Sequence, residues 1–304
     1  MVWPLSGWWA PKVLCANDIC AHFGRGVRPN GHGGVWTCRQ CRQPLPGLPG
    51  VFHAARTSVL ILVGTEGSGK SSWLIQGLQK LESRHPLAFP LDDQDSLWEG
   101  CKTAVSQGFN PPPTPAVPTT AWCVDVVKGT SRQRLHIHDL SGLEAADQAM
   151  LSRHRSFEHV NYLLLALDPF SLPAVRSRHG EAVRSMRPPV RPASQAFGME
   201  HLGALLSTLE NLHRRPKGPQ WDIAVAVMLT KLNVLGLMRK VSEPGASLEC
   251  LDQGCRQQLA SWDGGGLVRA LDSQFRQVRY FAPTPAGEGV FSADQPLLWA
   301  LGAN

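Results

Sequence analysis

The chain has 304 residues, of which 43% are hydrophobic and 18% are charged, and its net charge is +6. This composition supports a buried core in one large α/β domain with room for a small module, and it excludes a broadly disordered chain. The positive charge permits acidic partners without selecting among them. The longest apolar runs have the length of strands, so no membrane-spanning helix is predicted.

The N-terminal stretch MVWPLSGWWAP is apolar but short. It has no basic segment and no small-residue cleavage site, so the sequence predicts no signal peptide. We therefore expect a cytoplasmic protein. In that compartment, eight cysteines indicate metal binding or plain burial rather than disulfides.

Four cysteines near the N-terminus form two pairs, the first separated by four residues and the second by two. Two such pairs suit two turns that close on one tetrahedral Zn²⁺. His22 or His32 could replace one cysteine as a ligand. A segment with so small a core usually needs a metal, so we predict a zinc-ribbon-like module at residues 1–52. The predicted zinc ligands are Cys15, Cys20, Cys38 and Cys41.

From residue 53 onward, apolar runs of strand length alternate with helical stretches. The runs are nearly continuous in apolar residues, as expected for parallel strands covered on both faces. We therefore predict a three-layer α/β domain with a mostly parallel sheet at residues 53–304. The predicted strands lie at 58–63, 121–127, 134–138, 160–167, 222–229 and 278–282. The predicted helices lie at 69–83, 198–214, 255–274 and 295–302.

The stretch GTEGSGKS, residues 64–71, fits the phosphate-loop pattern G-x-x-x-x-G-K-[ST] between a predicted strand and a predicted helix. Its glycines allow a tight turn whose N–H groups point at phosphate oxygens, and the helix dipole adds to the attraction. Lys70 would contact the β- and γ-phosphates, and the Ser71 hydroxyl would bind Mg²⁺. The loop thus predicts a P-loop NTPase fold. The predicted nucleotide-binding residues of this loop are Gly64, Glu66, Gly67, Ser68, Gly69, Lys70, Ser71 and Ser72.

The stretch LHIHDLSGLE, residues 135–144, places Asp139 at a strand end and Gly142 three residues later. This spacing resembles the D-x-x-G switch of Ras-like GTPases. The resemblance implies that Asp139 holds Mg²⁺ through water and that the N–H of Gly142 contacts the γ-phosphate. Lys70, Asp139 and Gly142 are therefore the predicted catalytic residues. His136 and His138 would project from the same strand to one face; they could bind a metal, but packing under a helix explains them more simply.

The proline-rich loop FNPPPTPAVPTT, residues 109–120, precedes this strand pair. In the GTPase pattern, one threonine of this region caps Mg²⁺ and reports the γ-phosphate. Thr114, Thr119 and Thr120 are all candidates. We favour Thr114 because the adjacent prolines hold its backbone in an extended form.

The stretch VAVMLTKLNVLG, residues 225–236, ends a strand with a sequence that resembles the N/T-K-x-D guanine-recognition motif. Thr284 stands where the family has the serine of the loop behind the guanine. The predicted base-binding residues are Thr230, Lys231, Asn233 and Thr284. Asn233 departs from the family, which has aspartate there. The donor of its amide would face a donor of guanine, at a cost of about 1–3 kcal/mol, so an ATPase or promiscuous NTPase is an alternative.

Two residues predict slow hydrolysis. Leu143 stands where Ras-like enzymes have a water-orienting glutamine, and Glu66 would place a negative charge near the γ-phosphate. Positive charge would then come from Arg153, Arg155 or the basic segment 176–191, or from an arginine of a partner or a second copy. A further alternative is a non-hydrolysing, nucleotide-dependent zinc-ribbon adaptor.

These motifs occur in GTPase order, so the chain resembles P-loop GTPases of the Ras-like and translation-factor (TRAFAC) class. Its proline-rich loop, its LLLALDP strand, its PLLWALG ending and its cysteine-rich start are most similar to the bacterial double-GTPase type with an N-terminal zinc ribbon. The resemblance implies a guanine-nucleotide-binding switch protein that uses GTP/GDP, Mg²⁺ and Zn²⁺. Partner-dependent hydrolysis would involve contacts through segments 108–120 and 140–158 and the ribbon, with a protein partner or a second copy.

The stretch FSLPAVRSRHGEAVRSMRPPVRPASQ, residues 170–195, carries much of the excess positive charge. Because it is dotted with prolines, we predict that it contains no regular element. Its basic residues are not interleaved with aromatic residues, so we expect no nucleic-acid partner.

Overall fold

The computed structural model describes most of the chain. The described residues are 12–25, 37–43, 45, 56–89, 94–107, 121–128, 131–185, 192–213, 218–241, 245–284 and 287–302. Thr114 lies outside them, as do Thr119, Thr120 and His32. Their predicted roles therefore stay predictions.

Two short strands begin the described chain and pair antiparallel. They are β1 (Lys12–Leu14) and β2 (Phe23–Arg25). The turn after β1 carries the first cysteine pair, and backbone hydrogen bonds join it to the α/β part of the chain. The N–H of Ala121 donates to the carbonyl of Ala16 at 2.8 Å. The N–H of Arg155 donates to the carbonyl of Asp18 at 2.9 Å. The N-terminal module thus packs against the larger part of the chain.

A seven-stranded, mostly parallel sheet forms the centre of that larger part. Its strands are β3 (Arg56–Gly64), β4 (Leu87–Ala88), β5 (Trp122–Lys128), β6 (Ser131–Asp139), β7 (Tyr162–Leu167), β8 (Trp221–Leu229) and β9 (Phe275–Phe281). They are ordered β4-β5-β6-β3-β7-β8-β9. The five strands from β6 to β9 in this order are parallel, whereas β4 and β5 form an antiparallel edge. All six predicted strands are confirmed in position; the two-residue β4 is too short to leave a pattern in the sequence.

Helices lie on both faces of the sheet. They are α1 (Lys70–Glu82), α2 (Gln94–Ser106), α3 (Gln148–Leu151), α4 (Pro173–Ser185), α5 (Met199–Leu212), α6 (Met238–Val241), α7 (Leu248–Leu259), α8 (Gly265–Gln274) and α9 (Gln295–Ala300). Along β3, Val59 and Ile61 belong to a core that includes residues of α5, α7 and α8. Leu60 and Leu62 belong to a second core that includes residues of α1, α2 and α9. None of the described helices is long and apolar enough to cross a membrane.

The prediction that residues 170–195 contain no regular element is wrong, because about half of this segment forms α4. Val175 and Val183 are buried on the helix side that joins the core. Pro173 is the first residue of the helix, where its missing N–H removes no helical hydrogen bond. The charged residues of α4 therefore form its exposed side.

The prediction of one helix at residues 255–274 is also wrong. An irregular turn at Ala260–Gly264 separates α7 from α8. Asp263 has a φ of 66°, which an α-helix cannot accommodate. The glycines that follow it in the sequence allow the chain to begin a second helix.

The carboxyl ends of four neighbouring parallel strands meet at one edge of the sheet. Asp139 of β6 is in register with Leu62 of β3, and Gly64 at the end of β3 is in register with Ala166 of β7. Open α/β sheets bind their ligands at this edge. The described residues that were predicted to bind nucleotide all lie at or shortly after the carboxyl ends of these strands or of β9.

Candidate functional site

The four predicted zinc ligands converge in the N-terminal module, where their sulfurs all lie within 4.8 Å of one another. The Sγ atoms of Cys15 and Cys41 are 3.5 Å apart. Those of Cys20 and Cys38 are 3.7 Å apart. Tetrahedral Zn²⁺ with Zn–S bonds of about 2.3 Å separates its sulfurs by roughly 3.8 Å. The cluster contains no histidine among the described residues, so four cysteines form the donor set that could hold zinc.

Burial and local hydrogen bonds shift the pKa values of three of these cysteines. Burial raises the pKa of the Cys20 thiol to about 11, and it raises that of Cys15 as well. At Cys38, burial acts in the same direction, but N–H donors of Cys41 and Gln40 lower the pKa overall. Buried thiols stay protonated near neutral pH unless a cation displaces their protons, and a bound Zn²⁺ does so.

The glycine-rich loop, residues 64–70, joins β3 to α1. Gly69 precedes the helix with a φ of 87°, in the left-handed region that favours glycine. Gly69, the residue that precedes the helix, has no side chain that could cap the first turn of α1. The helix therefore begins directly after the loop, with the N–H groups of its first turn at the mouth of the loop. Such a helix start is a ready site for an anion.

Lys70 is 7% exposed, and burial lowers the pKa of its ammonium group. Asp139, Glu66 and Glu144 oppose this shift through their negative charge. Glu66 is exposed at the outside of the loop, so its carboxylate does not fill the loop. A nearly buried cation at the start of a helix favours an anionic ligand at this place.

The end of β6 contacts the start of α1 through a side-chain hydrogen bond. The hydroxyl of Ser71 donates to Oδ2 of Asp139 at 2.6 Å. The two residues are 68 positions apart in the sequence, and the parallel pairing of β3 with β6 brings them together. A hydroxyl and a carboxylate in contact offer two oxygen ligands of the kind that Mg²⁺ prefers.

Gly142 packs directly on the glycine-rich loop. A Cβ atom at this position would lie 2.3 Å from the backbone N of Glu66 and 2.5 Å from its Cα. No residue other than glycine fits so close a backbone approach. The next residue, Leu143, turns to solvent and is 68% exposed. An apolar side chain at this position could not orient water.

The end of β8 holds the glycine-rich loop from the other side. Thr230 donates through Oγ1 to the carbonyl of Ser68 at 2.8 Å. Nζ of Lys231 lies 2.6 Å from the carbonyl oxygen of Gly67 and 2.7 Å from Oδ2 of Asp168. The predicted base motif and the predicted phosphate loop are thus in direct contact.

Asp168 is a site residue that sequence reasoning missed. It is buried at the end of β7, and besides Lys231 it accepts hydrogen bonds from the N–H groups of Phe170 and Ala193 at 2.9 and 2.7 Å. The sequence places Asp168 directly after the apolar run LLLAL, and this position could have identified it. An acid at the carboxyl end of a parallel strand lies at the edge of the sheet where ligands bind.

Asn233 and Thr284 line one cleft of about 730 Å³ together with Met238 and residues 287–291. Thr284 is buried and donates its N–H to the carbonyl of Phe291 at 3.1 Å, whereas Asn233 is exposed. The volume lies within the range of small-molecule sites. Asn233 and Thr284, which are 51 positions apart in the sequence, therefore face the same space.

Sequence reasoning also missed a buried group of two acids and two histidines. His138 was expected to pack under a helix, but its Nδ1 lies 3.2 Å from Oδ1 of Asp18 in the first cysteine turn. Nδ1 of His154 contacts the other oxygen of Asp18, and its Nε2 lies 3.3 Å from Oε2 of Glu144. All four side chains are almost fully buried. We name this set the acid–histidine group.

Contacts within the acid–histidine group shift the pKa values of Asp18 and His154 in opposite directions. Burial alone would raise the pKa of Asp18, but His138 and His154 outweigh it and hold the pKa well below its usual range. Burial would lower the pKa of His154, and contact with Asp18 and Glu144 raises it instead. No single sequence pattern marks the group, since its members come from three separate segments.

The sequence matches no protein-family model, and comparison with curated proteins finds no relative. Assignment of function to this chain therefore depends on its own residues. In the described part of the chain, the predicted residues of the glycine-rich loop, Asp139, Gly142, Thr230 and Lys231 form one contiguous site, and Asn233 and Thr284 share a cleft.

Proposed function

We propose that this chain is a P-loop GTPase of the TRAFAC class with an N-terminal zinc ribbon, acting as a guanine-nucleotide-binding switch. The observation that carries the proposal is the 2.6 Å hydrogen bond from Ser71 to Asp139. In P-loop NTPases, a serine at the end of the phosphate loop and an aspartate at the end of a nearby strand hold Mg²⁺ together. The mostly parallel sheet with helices on both faces supports the three-layer architecture of that class.

In this proposal, the chain's own residues bind and orient the phosphates. Backbone N–H groups of the glycine-rich loop and of the first turn of α1 surround the phosphate oxygens, and the ammonium of Lys70 contacts the β- and γ-phosphates. Ser71 and Asp139 would hold Mg²⁺, which neutralises charge that develops on the phosphates. Gly142 packs on the glycine-rich loop, and in this proposal its N–H would contact the γ-phosphate.

The base would occupy the cleft between Asn233 and Thr284. Lys231 and Thr230 support this placement because they tie the base motif to the loop carbonyls of Gly67 and Ser68. Asn233 favours a weaker preference for guanine than an aspartate would give. Promiscuous NTP binding, or ATP as the ligand, is thus the second candidate.

Hydrolysis would be slow without a partner. Leu143 is exposed and cannot orient water, and Arg155 is paired with Glu158 at the surface. Arg153 is exposed as well, and its guanidinium donates to the sulfur of Met150 at 3.4 Å. An arginine supplied by a partner or a second copy would provide the missing charge, an effect typically on the order of 10³–10⁵ in rate. These observations also favour a third candidate, a nucleotide-dependent zinc-ribbon adaptor without turnover.

Titration calorimetry with GTP, ATP and XTP in the presence of Mg²⁺ tests the proposal. We expect GTP to bind most tightly, and Ser71→Ala to weaken it at least tenfold. Ser83→Ala serves as the matched control, because this exposed serine bonds only within the end of α1. Equal or tighter binding of ATP would contradict the GTPase assignment.

Phosphate release then separates the switch from the adaptor. Wild-type protein should release phosphate slowly and faster than Lys70→Ala, with further acceleration at high protein concentration or with a partner. Turnover equal to Lys70→Ala under all of these conditions would leave the adaptor as the function.

A further inference from the structure

The acid–histidine group joins the cysteine cluster to the proposed nucleotide site. Asp18 lies between Cys15 and Cys20, so its position depends on the turn that these two cysteines anchor. Its carboxylate leaves that turn and is buried in the α/β part, where 2% of the residue is exposed. An ionised carboxylate buried so deeply requires partners, and both of its oxygens have a histidine partner.

The two histidines lie next to residues of the proposed nucleotide site. His138 directly precedes Asp139 in β6, so a contact that fixes His138 also fixes the strand end that carries Asp139. His154 contacts Glu144, whose Oε2 also accepts a hydrogen bond from the N–H of Ser141 at 3.2 Å. Ser141 directly precedes Gly142 in the chain, and Gly142 packs on the glycine-rich loop.

A continuous series of contacts therefore runs from the first cysteine turn to the loop. The series has two branches. One runs from Asp18 through His138 to the end of β6, and the other runs from Asp18 through His154 and Glu144 to Ser141. The backbone bond from the N–H of Arg155 to the carbonyl of Asp18 adds a third connection at 2.9 Å. The first cysteine turn thus supports residues 139–147, which we name the 139–147 segment.

We propose that Asp18 is a positioning residue through which an occupied zinc site holds the 139–147 segment in its nucleotide-binding arrangement. Zinc and nucleotide then bind with positive coupling. Without zinc, the first turn loses its fixed shape, Asp18 leaves its pocket, and the segment loses the contacts that place Asp139 and Gly142. The coupling to nucleotide rests on the proposed function. The effect of zinc on the 139–147 segment does not require a nucleotide.

Coupling between zinc and nucleotide binding makes a prediction that a purely structural zinc site does not make. If zinc increases nucleotide affinity by a given factor, nucleotide must increase zinc affinity by the same factor. Coupling between sites is typically about 5–150-fold. A zinc site that only stabilises its own module would leave both affinities independent.

The first experiment measures hydrogen exchange in the full chain without nucleotide, in zinc-loaded protein and after removal of zinc by a chelator. We expect faster exchange in the cysteine turns and in the 139–147 segment, with α7 unchanged as an internal reference. Unchanged exchange in the 139–147 segment, while the cysteine turns lose protection, would overturn the proposal. This outcome is independent of whether the protein binds GTP.

The second experiment measures the affinity for GTP with Mg²⁺, with and without zinc, in wild type, Asp18→Asn and Ile19→Ala. Zinc removal should weaken binding at least fivefold in wild type and in Ile19→Ala, whose altered side chain is 60% exposed in the same turn. Asp18→Asn loaded with zinc should bind as weakly as zinc-free wild type, and its affinity should not respond to zinc. Retained coupling in Asp18→Asn would overturn the role of Asp18.

The reciprocal titration measures zinc affinity with and without GTP by competition with a chelator. In wild type, GTP should increase zinc affinity by the same factor by which zinc increases GTP affinity. In Asp18→Asn, GTP should leave zinc affinity unchanged. If zinc-loaded wild type binds no nucleotide at all, the proposed function fails, and the hydrogen-exchange result alone then decides whether Asp18 supports the segment.

Discussion

Asp168 and Lys231 form an ion pair of 2.7 Å at the carboxyl ends of two neighbouring parallel strands. Asp168 is fully enclosed, and Lys231 also donates to the carbonyl of Gly67. The pair therefore links the end of β7, the end of β8 and the glycine-rich loop. It sets the position of Lys231, which has a φ of 58° in the left-handed region that costs a lysine energy.

Asp168→Asn should destabilise the protein and loosen the loop. The amide cannot accept all of the hydrogen bonds that the carboxylate accepts from Lys231, Phe170 and Ala193. Leaving buried donors unsatisfied costs about 1–3 kcal/mol. Urea denaturation measures the change. Asp222→Asn is the control, because its pair with Arg276 is exposed and should contribute less than about 1 kcal/mol. Equal losses in both variants would contradict the role of Asp168.

Gly142→Ala should displace the 139–147 segment, because the new Cβ would meet the backbone of Glu66 at 2.3 Å. We expect loss of nucleotide binding with a native circular dichroism spectrum. Gly203→Ala in α5 is the matched control, since a Cβ there meets nothing within 4 Å. It should be neutral or stabilise the helix by about 0.5–1 kcal/mol. Nucleotide affinity unchanged in Gly142→Ala would show that this glycine does not contact the phosphates.

Metal analysis of purified protein should find one zinc per chain. Cys41→Ser should lose it, because the remaining three sulfurs leave the tetrahedral set incomplete. Cys250→Ser should keep it, since Cys250 is exposed and lies outside the four-cysteine cluster. Equal zinc content in the two variants would contradict the assignment of the cluster.

Asn233→Asp should sharpen the preference for guanine. A carboxylate accepts from both N–H groups of guanine, whereas the amide presents one donor to another donor. Relief of that mismatch, worth about 1–3 kcal/mol, should raise the GTP-to-ATP affinity ratio by roughly 5–150-fold. Calorimetry with both nucleotides measures the ratio. An unchanged ratio would place the base away from Asn233.

The sequence allowed prediction of those features that have a local pattern. The strands are continuous apolar runs, and the glycine-rich loop and the cysteine pairs are marked by spacing alone. By contrast, the contact of Asp18 with His154 joins residues 136 positions apart, and single acids or histidines carry no period. The helix α4 was missed because the segment 170–195 is rich in prolines and arginines, and only two buried valines mark the core-facing side of the helix. The turn at Asp263 was missed because the helical pattern continues on both sides of it.

The central claim is tested most directly by a structure of the zinc-loaded protein with a non-hydrolysable GTP analogue and Mg²⁺. We predict phosphates enclosed by residues 64–71, Mg²⁺ beside Ser71 and Asp139, and guanine in the cleft between Asn233 and Thr284. An analogue bound elsewhere, or a loop that stays empty at saturating analogue, would contradict the assignment of this chain as a P-loop GTPase.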